Sequence, residues 1–140
     1  MSSEAIFVLD SSFTIAWVLE EEGEEEHVDS VFSSLNQTSA VVPPLWFYEV
    51  ANVLAISERR GRLFQKDLTR TISLLESLPI VVDLNCEGRA LSEILALART
   101  HALTVYDATY LDLAMRTGLP LATLDNLLIQ ASQSLGITIL

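Results

Sequence analysis

The sequence predicts an α/β fold, a doubly wound layer structure around a central, mainly parallel sheet of five strands, and three observations carry that prediction. Short apolar runs recur along the chain, and amphipathic stretches at helical spacing separate them. The composition fits: half the residues are apolar and mean hydropathy is +0.38, as strands buried on both faces require. With 140 residues and no linker or repeat, residues 1–140 are read as one domain, a size that buries roughly 70% of the surface its unfolded chain would expose.

Ala5 to Leu9 is a continuous apolar run stopped by Asp10-Ser11-Ser12, residues that favour a helix start, and gives the first strand. Helices follow over Ser12–Leu19 and about Gly23–Leu35, the second with Val28, Val31, Phe32 and Leu35 on one side. Ala40 to Val42 is the second strand. Pro43-Pro44 opens a long helix to about Arg60, with Gly61 as its stop signal. Asp67–Leu78 is helical, Ile80–Val82 the third strand, and Glu87 to about Thr100 a helix with Leu91, Ile94, Leu95 and Ala98 as its apolar stripe. Thr104 precedes a helix over Val105–Thr117 that Gly118 closes. Leu119–Leu124 is the fourth strand, Asn126–Leu135 the last helix and Ile137–Leu140 the fifth strand.

The single cysteine, Cys86, forbids an internal disulfide, permits a reducing compartment and reads as a buried structural thiol. The start of the chain has no basic region and its apolar run is too short for a signal peptide, and no stretch approaches the ~18–20 apolar residues of a membrane span. A soluble, cytoplasmic protein with no membrane partner is expected. The net charge of -11 argues against general attraction to nucleic acid, but the charge is uneven. Five of the eight basic residues, Arg59, Arg60, Arg62, Lys66 and Arg70, fall in one twelve-residue window, while six glutamates crowd into Glu20–Glu26.

Ligands of open parallel sheets bind beyond the carboxyl ends of the strands, where strand order reverses. Asp10 directly follows the first strand and Asp125 the fourth, and Asp107 falls in the first turn of its helix. On a ~3.6-residue helical wheel Val53, Trp46, Ser57, Val50 and Leu54 all lie to one side of Glu49, which puts Glu49 on the border of the apolar face with Asn52 beside it at i+3. Four carboxylates converging at one sheet edge need a cation, and an all-oxygen site selects hard ions such as Mg²⁺ or Mn²⁺. Helix capping is the competing explanation for Asp10 and Asp125, and Thr104-x-x-Asp107 resembles a capping box. Capping does not account for Glu49.

Four blocks then carry a resemblance that spans nearly the whole chain: Val8-Leu9-Asp10-Ser11-Ser12; Pro44-Leu45-Trp46 with Glu49-Val50-Ala51-Asn52-Val53-Leu54; Leu103-Thr104-Val105-Tyr106-Asp107-Ala108-Thr109-Tyr110-Leu111; and Pro120-Leu121-Ala122-Thr123-Leu124-Asp125. In this order and spacing they resemble a PIN domain, and within it the VapC-type toxins of type II toxin–antitoxin systems. The resemblance implies a three-layer α/β/α sandwich around the five-stranded sheet and an Mg²⁺- or Mn²⁺-dependent endoribonuclease. It implies metal ligation and catalysis by Asp10, Glu49, Asp107 and Asp125, with Ser11 and Thr123 beside the metal. It also implies hydrolysis of RNA phosphodiesters by metal-activated water, a cognate antitoxin and a homodimer. Relatives often carry a basic residue after the last aspartate, where this chain has Asn126.

The remaining features divide between two readings each. The window of Arg59, Arg60, Arg62 and Lys66 either guides RNA phosphates towards the acid edge or is a solvated helix end whose cations suit the dipole. The glutamate run is a solvated helix start, or a dock for a basic antitoxin segment. His27 and His101 lack a third partner at metal or triad spacing, and Trp17, Trp46 and Phe47 lie within apolar helices as core or dimer contacts. Three rival functions share the acidic pocket. A phosphotransfer hydrolase needs a second Asp where Ser12 stands. A Mg²⁺-binding receiver-like signalling module needs an acidic pair at the first strand and a late lysine, yet no lysine follows Lys66. A non-catalytic PIN-fold binding protein has no need of all four acids.

Overall fold

The computed structural model describes residues 4–20 and 23–140. Four strands, β1 (Ala5–Leu9), β2 (Ser39–Val42), β3 (Ile80–Val82) and β4 (Leu121–Ala122), form one sheet in the order β3-β2-β1-β4 with every pairing parallel. The chain steps outwards from β1 through β2 to β3, then returns to add β4 on the other side of β1. With right-handed crossovers this reversal places the connecting helices on opposite faces and opens a crevice at the carboxyl ends of β1 and β4. Phe7, Val8 and Leu9 in β1 and Ala40, Val41 and Val42 in β2 are buried, which is why those strands read as unbroken apolar runs.

Among the described residues seven α-helices cover the sheet: α1 (Ser11–Val18), α2 (Glu25–Ser33), α3 (Leu45–Arg59), α4 (Gln65–Glu76), α5 (Leu95–His101), α6 (Val105–Thr117) and α7 (Asn126–Ser134). α1 packs on α2 and α3, and α3 on α4; α6 packs on α5, α7, β1 and β4. The ring of Phe13 stacks on Phe32, which stacks on Trp17 with centroids 4.0 Å apart, and Trp46 is buried, so these aromatics build the core beneath α1 to α3. Phe47 is exposed. Cys86 is buried, as expected. Glu21 and Glu22 of the glutamate run lie outside the described residues; Glu25 and Glu26 stand in the first turn of α2, favoured by its dipole. Among the described residues no helix is long and apolar enough to cross a membrane.

Two expectations are corrected. The fifth strand over residues 137–140 is reduced to one parallel bridge between Ile139 and Leu121, closed by Leu121 N–H to Thr138 O (2.9 Å) and Leu140 N–H to Leu121 O (3.0 Å). The cause lies in β4, which is two residues long, so that Leu121 alone turns its backbone groups to the last segment while Pro120 and Ala122 bond β1. The helix expected from Glu87 starts instead as a 3₁₀ turn (Glu87–Arg89) and a π turn (Ala90–Ile94) before α5. The wider π turn rotates the stripe, so Ile94 and Ala98 are buried while Leu91 is 91% exposed.

A network of ion pairs fixes α6. Arg116 bonds Asp83, just after β3, through both terminal nitrogens (2.7 and 3.3 Å) and Asp112 through Nε (2.9 Å). Arg89 holds Asp112 through Nε and Nη2 (2.9 and 2.8 Å). Burial works against ionisation of Asp112, but the bonds from Arg89 and Arg116 outweigh it and hold that carboxyl below its ordinary value. Asp112 and Arg116 stand at i,i+4, a spacing that marks the pair in the sequence.

Candidate active site

Asp10 leaves β1 and enters the crevice, and Asp125 does the same two residues after Thr123 at the end of β4. Both occupy N-cap positions, but they use them differently. Asp125 caps α7, its Oδ1 accepting from Leu128 N–H at 3.0 Å. Asp10 makes no side-chain cap to α1; it is 3% exposed, and its Oδ2 accepts from Ser12 Oγ (2.5 Å) and Thr123 Oγ1 (2.7 Å). Those hydroxyls accept in turn from the Leu124 and Asp125 amides (3.0 and 3.1 Å), which welds the start of α1 to the end of β4.

Glu49 comes from α3, where Trp46, Val50, Leu54 and Ser57 are buried and anchor the helix face beside it. Its Oε1 accepts from Tyr110 Oη at 2.6 Å and Ser11 Oγ at 3.2 Å. Asp107 stands in the first turn of α6, which Thr104 caps by accepting the Asp107 amide at 3.1 Å. The cap uses the backbone amide of Asp107, and the Thr104 hydroxyl also pulls on the Asp107 carboxyl.

The four carboxylates act on one another. Burial lifts the Asp10 pKa from 3.8 to about 6 against the pull of Ser12 and Thr123, and the charges of Glu49 and Asp107 raise it further. Burial also raises Asp107, aided by Asp125 and then Glu49. Tyr110 is pushed far above its ordinary value, first by burial and then by Asp10 and Glu49, so it stays a hydroxyl donor. Among the described residues no three His, Cys, Asp or Glu side chains are gathered closely enough to grip one ion directly. The arrangement suits a hydrated hard cation, since Mg²⁺ keeps several waters and takes only one or two carboxylates.

The other expected residues are dispersed. Asn52 is exposed one turn along α3 from Glu49 and makes no side-chain hydrogen bond among the described residues. Arg59 and Arg60 are exposed at the far end of α3, about 15 Å from Glu49 at the ~1.5 Å rise per residue of a helix. Lys66 is exposed in the first turn of α4. Arg62 lines a separate groove of about 810 Å³ between α1, α2 and α4, with Trp17, Leu19, Asp29 and Arg70. Two hydroxyl donors escaped the sequence reasoning, Ser12 as a partner of Asp10 and Tyr110 as a partner of Glu49. Tyr110 lies at i+3 from Asp107, one turn along the same helix, and that spacing was the available signal.

The comparisons with known proteins identify the fold and the family. A PIN domain family model matches residues 7–132. Ribonuclease VapC3 of Pyrobaculum aerophilum is 32% identical over 118 residues, covering 84% of this chain and 88% of that protein. Among solved structures, PAE2754 from Pyrobaculum aerophilum superposes with a TM-score of 0.66 at 24% identity, covering 97% of this chain and 91% of the other. VapC20 of Mycobacterium tuberculosis, described as a Sarcin-Ricin loop cleaving toxin, gives 0.64 at 16% identity, with 89% and 94% covered. FitAcB from Neisseria gonorrhoeae gives 0.62 at 17% identity, with 96% of each chain covered. The span matched by the family model contains all four acids, most of β1 and all of β4, and the chain belongs to the PIN domain family, alongside the VapC ribonucleases.

Proposed function

We propose that this protein is an endoribonuclease, the toxin of a toxin–antitoxin pair, that hydrolyses RNA with a hydrated divalent cation held directly or through its waters by Asp10, Glu49, Asp107 and Asp125. One observation carries the reading: at the strand-order reversal of a PIN sheet a buried aspartate has, as the charges acting on it among the described residues, two further carboxylates, Glu49 and Asp107. Such a cluster is stable in its ionised form only with a cation, and its all-oxygen chemistry fits Mg²⁺ or Mn²⁺. When bound, the ion lowers the pKa of water and offsets negative charge on the phosphate. The chain's own part is orientation: Ser12 and Thr123 fix Asp10, Ser11 and Tyr110 fix Glu49, and the N-terminal turns of α6 and α7 fix Asp107 and Asp125. Similarity to Ribonuclease VapC3 supports RNA as substrate, and the toxin-like fold fits a cognate antitoxin as partner. Exposed Leu84, Leu91 and Phe64 support apolar self-association as a homodimer.

The chemistry of the product ends tests the reaction. Attack by water leaves the bridging 3′ oxygen as the departing group and gives a 5′-phosphate and a 3′-hydroxyl. The alternative uses the RNA 2′-hydroxyl, requires a general base near neutral pKa such as histidine, and leaves a cyclic phosphate. His27 is held away from the crevice, its Nε2 on Leu140 O at 3.0 Å and its ring edge-on to Phe13. His101 ends α5. We expect His101→Ala to retain cleavage and the fragments to ligate at their 3′ ends without phosphatase. Cyclic-phosphate ends, or loss of cleavage in His101→Ala, would overturn the proposed reaction.

A further inference from the structure

Two donors from separate elements converge on one oxygen of Glu49. Tyr110, fully buried in α6, donates to Oε1 at 2.6 Å, and Ser11 from the start of α1 donates to the same atom at 3.2 Å. No hydrogen bond among the described residues reaches Oε2. Asp10 repeats the pattern: Ser12 and Thr123 both donate to Oδ2, and none among the described residues reaches Oδ1. A hydroxyl carries one proton, so a tyrosine that donates to Glu49 is committed to that one carboxylate oxygen. A glutamate side chain on a half-buried helix face otherwise samples several rotamers, at an entropic cost to any ligand that must order it. The tyrosine bond, in the short range of charge-assisted O–H···O⁻ contacts, removes that freedom beforehand.

We propose that Tyr110 is a positioning residue: its hydroxyl holds Glu49 by Oε1 so that Oε2 is presented to the divalent cation. This inference rests on the cation reading above. A buried tyrosine needs some acceptor, and a backbone carbonyl would satisfy it as well. Here the acceptor is a carboxylate 61 residues away, already held by a second hydroxyl on the same oxygen, and the neighbouring aspartate is held in the same one-sided way. Packing alone does not require that arrangement, and it leaves the opposite oxygen free of protein donors among the described residues.

The test is a titration of the full chain with Mn²⁺ alone, following free Mn²⁺ by electron paramagnetic resonance, in the wild type, Tyr110→Phe, Glu49→Gln and the double variant. Tyr110→Phe removes one oxygen and keeps the ring, and its melting temperature is read beside the affinity. The expected result is Mn²⁺ affinity weakened about 10–100-fold, as for other groups that hold a metal ligand, in a variant that still melts cooperatively. In the Glu49→Gln background Tyr110→Phe should produce no further weakening. Unchanged affinity, or equal weakening in both backgrounds, overturns the positioning role. If Tyr110→Phe does not fold, Ser11→Ala removes the other donor to the same oxygen: weakening that vanishes beside Glu49→Gln sustains the brace, and none refutes it. Failure of the wild type to take up Mn²⁺ is a different outcome, which removes the cation reading and this inference with it.

Discussion

Burial holds the Asp10 carboxyl at a pKa of about 6 in the folded protein, against an ordinary value of 3.8. Between those two values the metal-free folded protein keeps a proton that the unfolded chain has released. The contribution of Asp10 to stability is therefore complete below 3.8 and lost as pH rises through about 6, and Asp107 shifts in the same direction. In chelator, the melting temperature is expected to rise as pH falls from about 7.5 to about 5. At the upper pH Asp10→Asn should be stabilised, by up to roughly 3 kcal/mol at ~1.36 kcal/mol per pKa unit, with a flatter pH dependence. Identical pH profiles for the two proteins would contradict this account. Asp10 was legible in the sequence because it ends an apolar run, but its local pattern matched that of Asp125, a true helix cap. What separates them is the hydroxyl of Thr123, 113 residues from Asp10, which no local window contains.

α6 carries Asp107 and Tyr110 on one side and is held on the other by Asp112 and Arg116. Removing Asp112 leaves the guanidinium groups of Arg89 and Arg116 short of an acceptor. Both arginines keep part of their surface in water, which limits the loss, so Asp112→Ala is expected to cost about 2–3 kcal/mol. Because its folded pKa lies below the ordinary value, the stabilisation from Asp112 is present above that value and disappears as pH falls through the lower one. Urea unfolding at neutral pH and at about pH 3 measures both: the gap between wild type and variant should narrow in acid. A gap that persists unchanged would assign the loss to packing. At this scale the helices and the first three strands follow from apolar runs and helical spacing. The fifth strand and the regular start of the helix at Glu87 do not, because β4 is short enough to offer the last segment Leu121 alone and the π turn shifts the stripe.

For the whole molecule, the net charge of -11 and an acidic crevice oppose a polyanion, so the proposed RNA substrate would have to be held through a cation and local basic residues. Arg59 and Arg60 lie exposed at the end of α3, whereas Arg62 sits in the groove beside α2 and α4. Neutralising the three together should weaken RNA binding and lower the slope of log K against log salt by about 1 for each phosphate that is no longer neutralised. An unchanged slope would assign these arginines to the helix end alone. The most direct test of the central claim is cleavage of an unstructured RNA by the wild type and by Asp107→Asn, each with Mn²⁺ and with EDTA. The account predicts cleavage by the wild type in Mn²⁺ only, with Asp107→Asn folded but inactive; cleavage that survives EDTA, or equal activity in the two proteins, would contradict it.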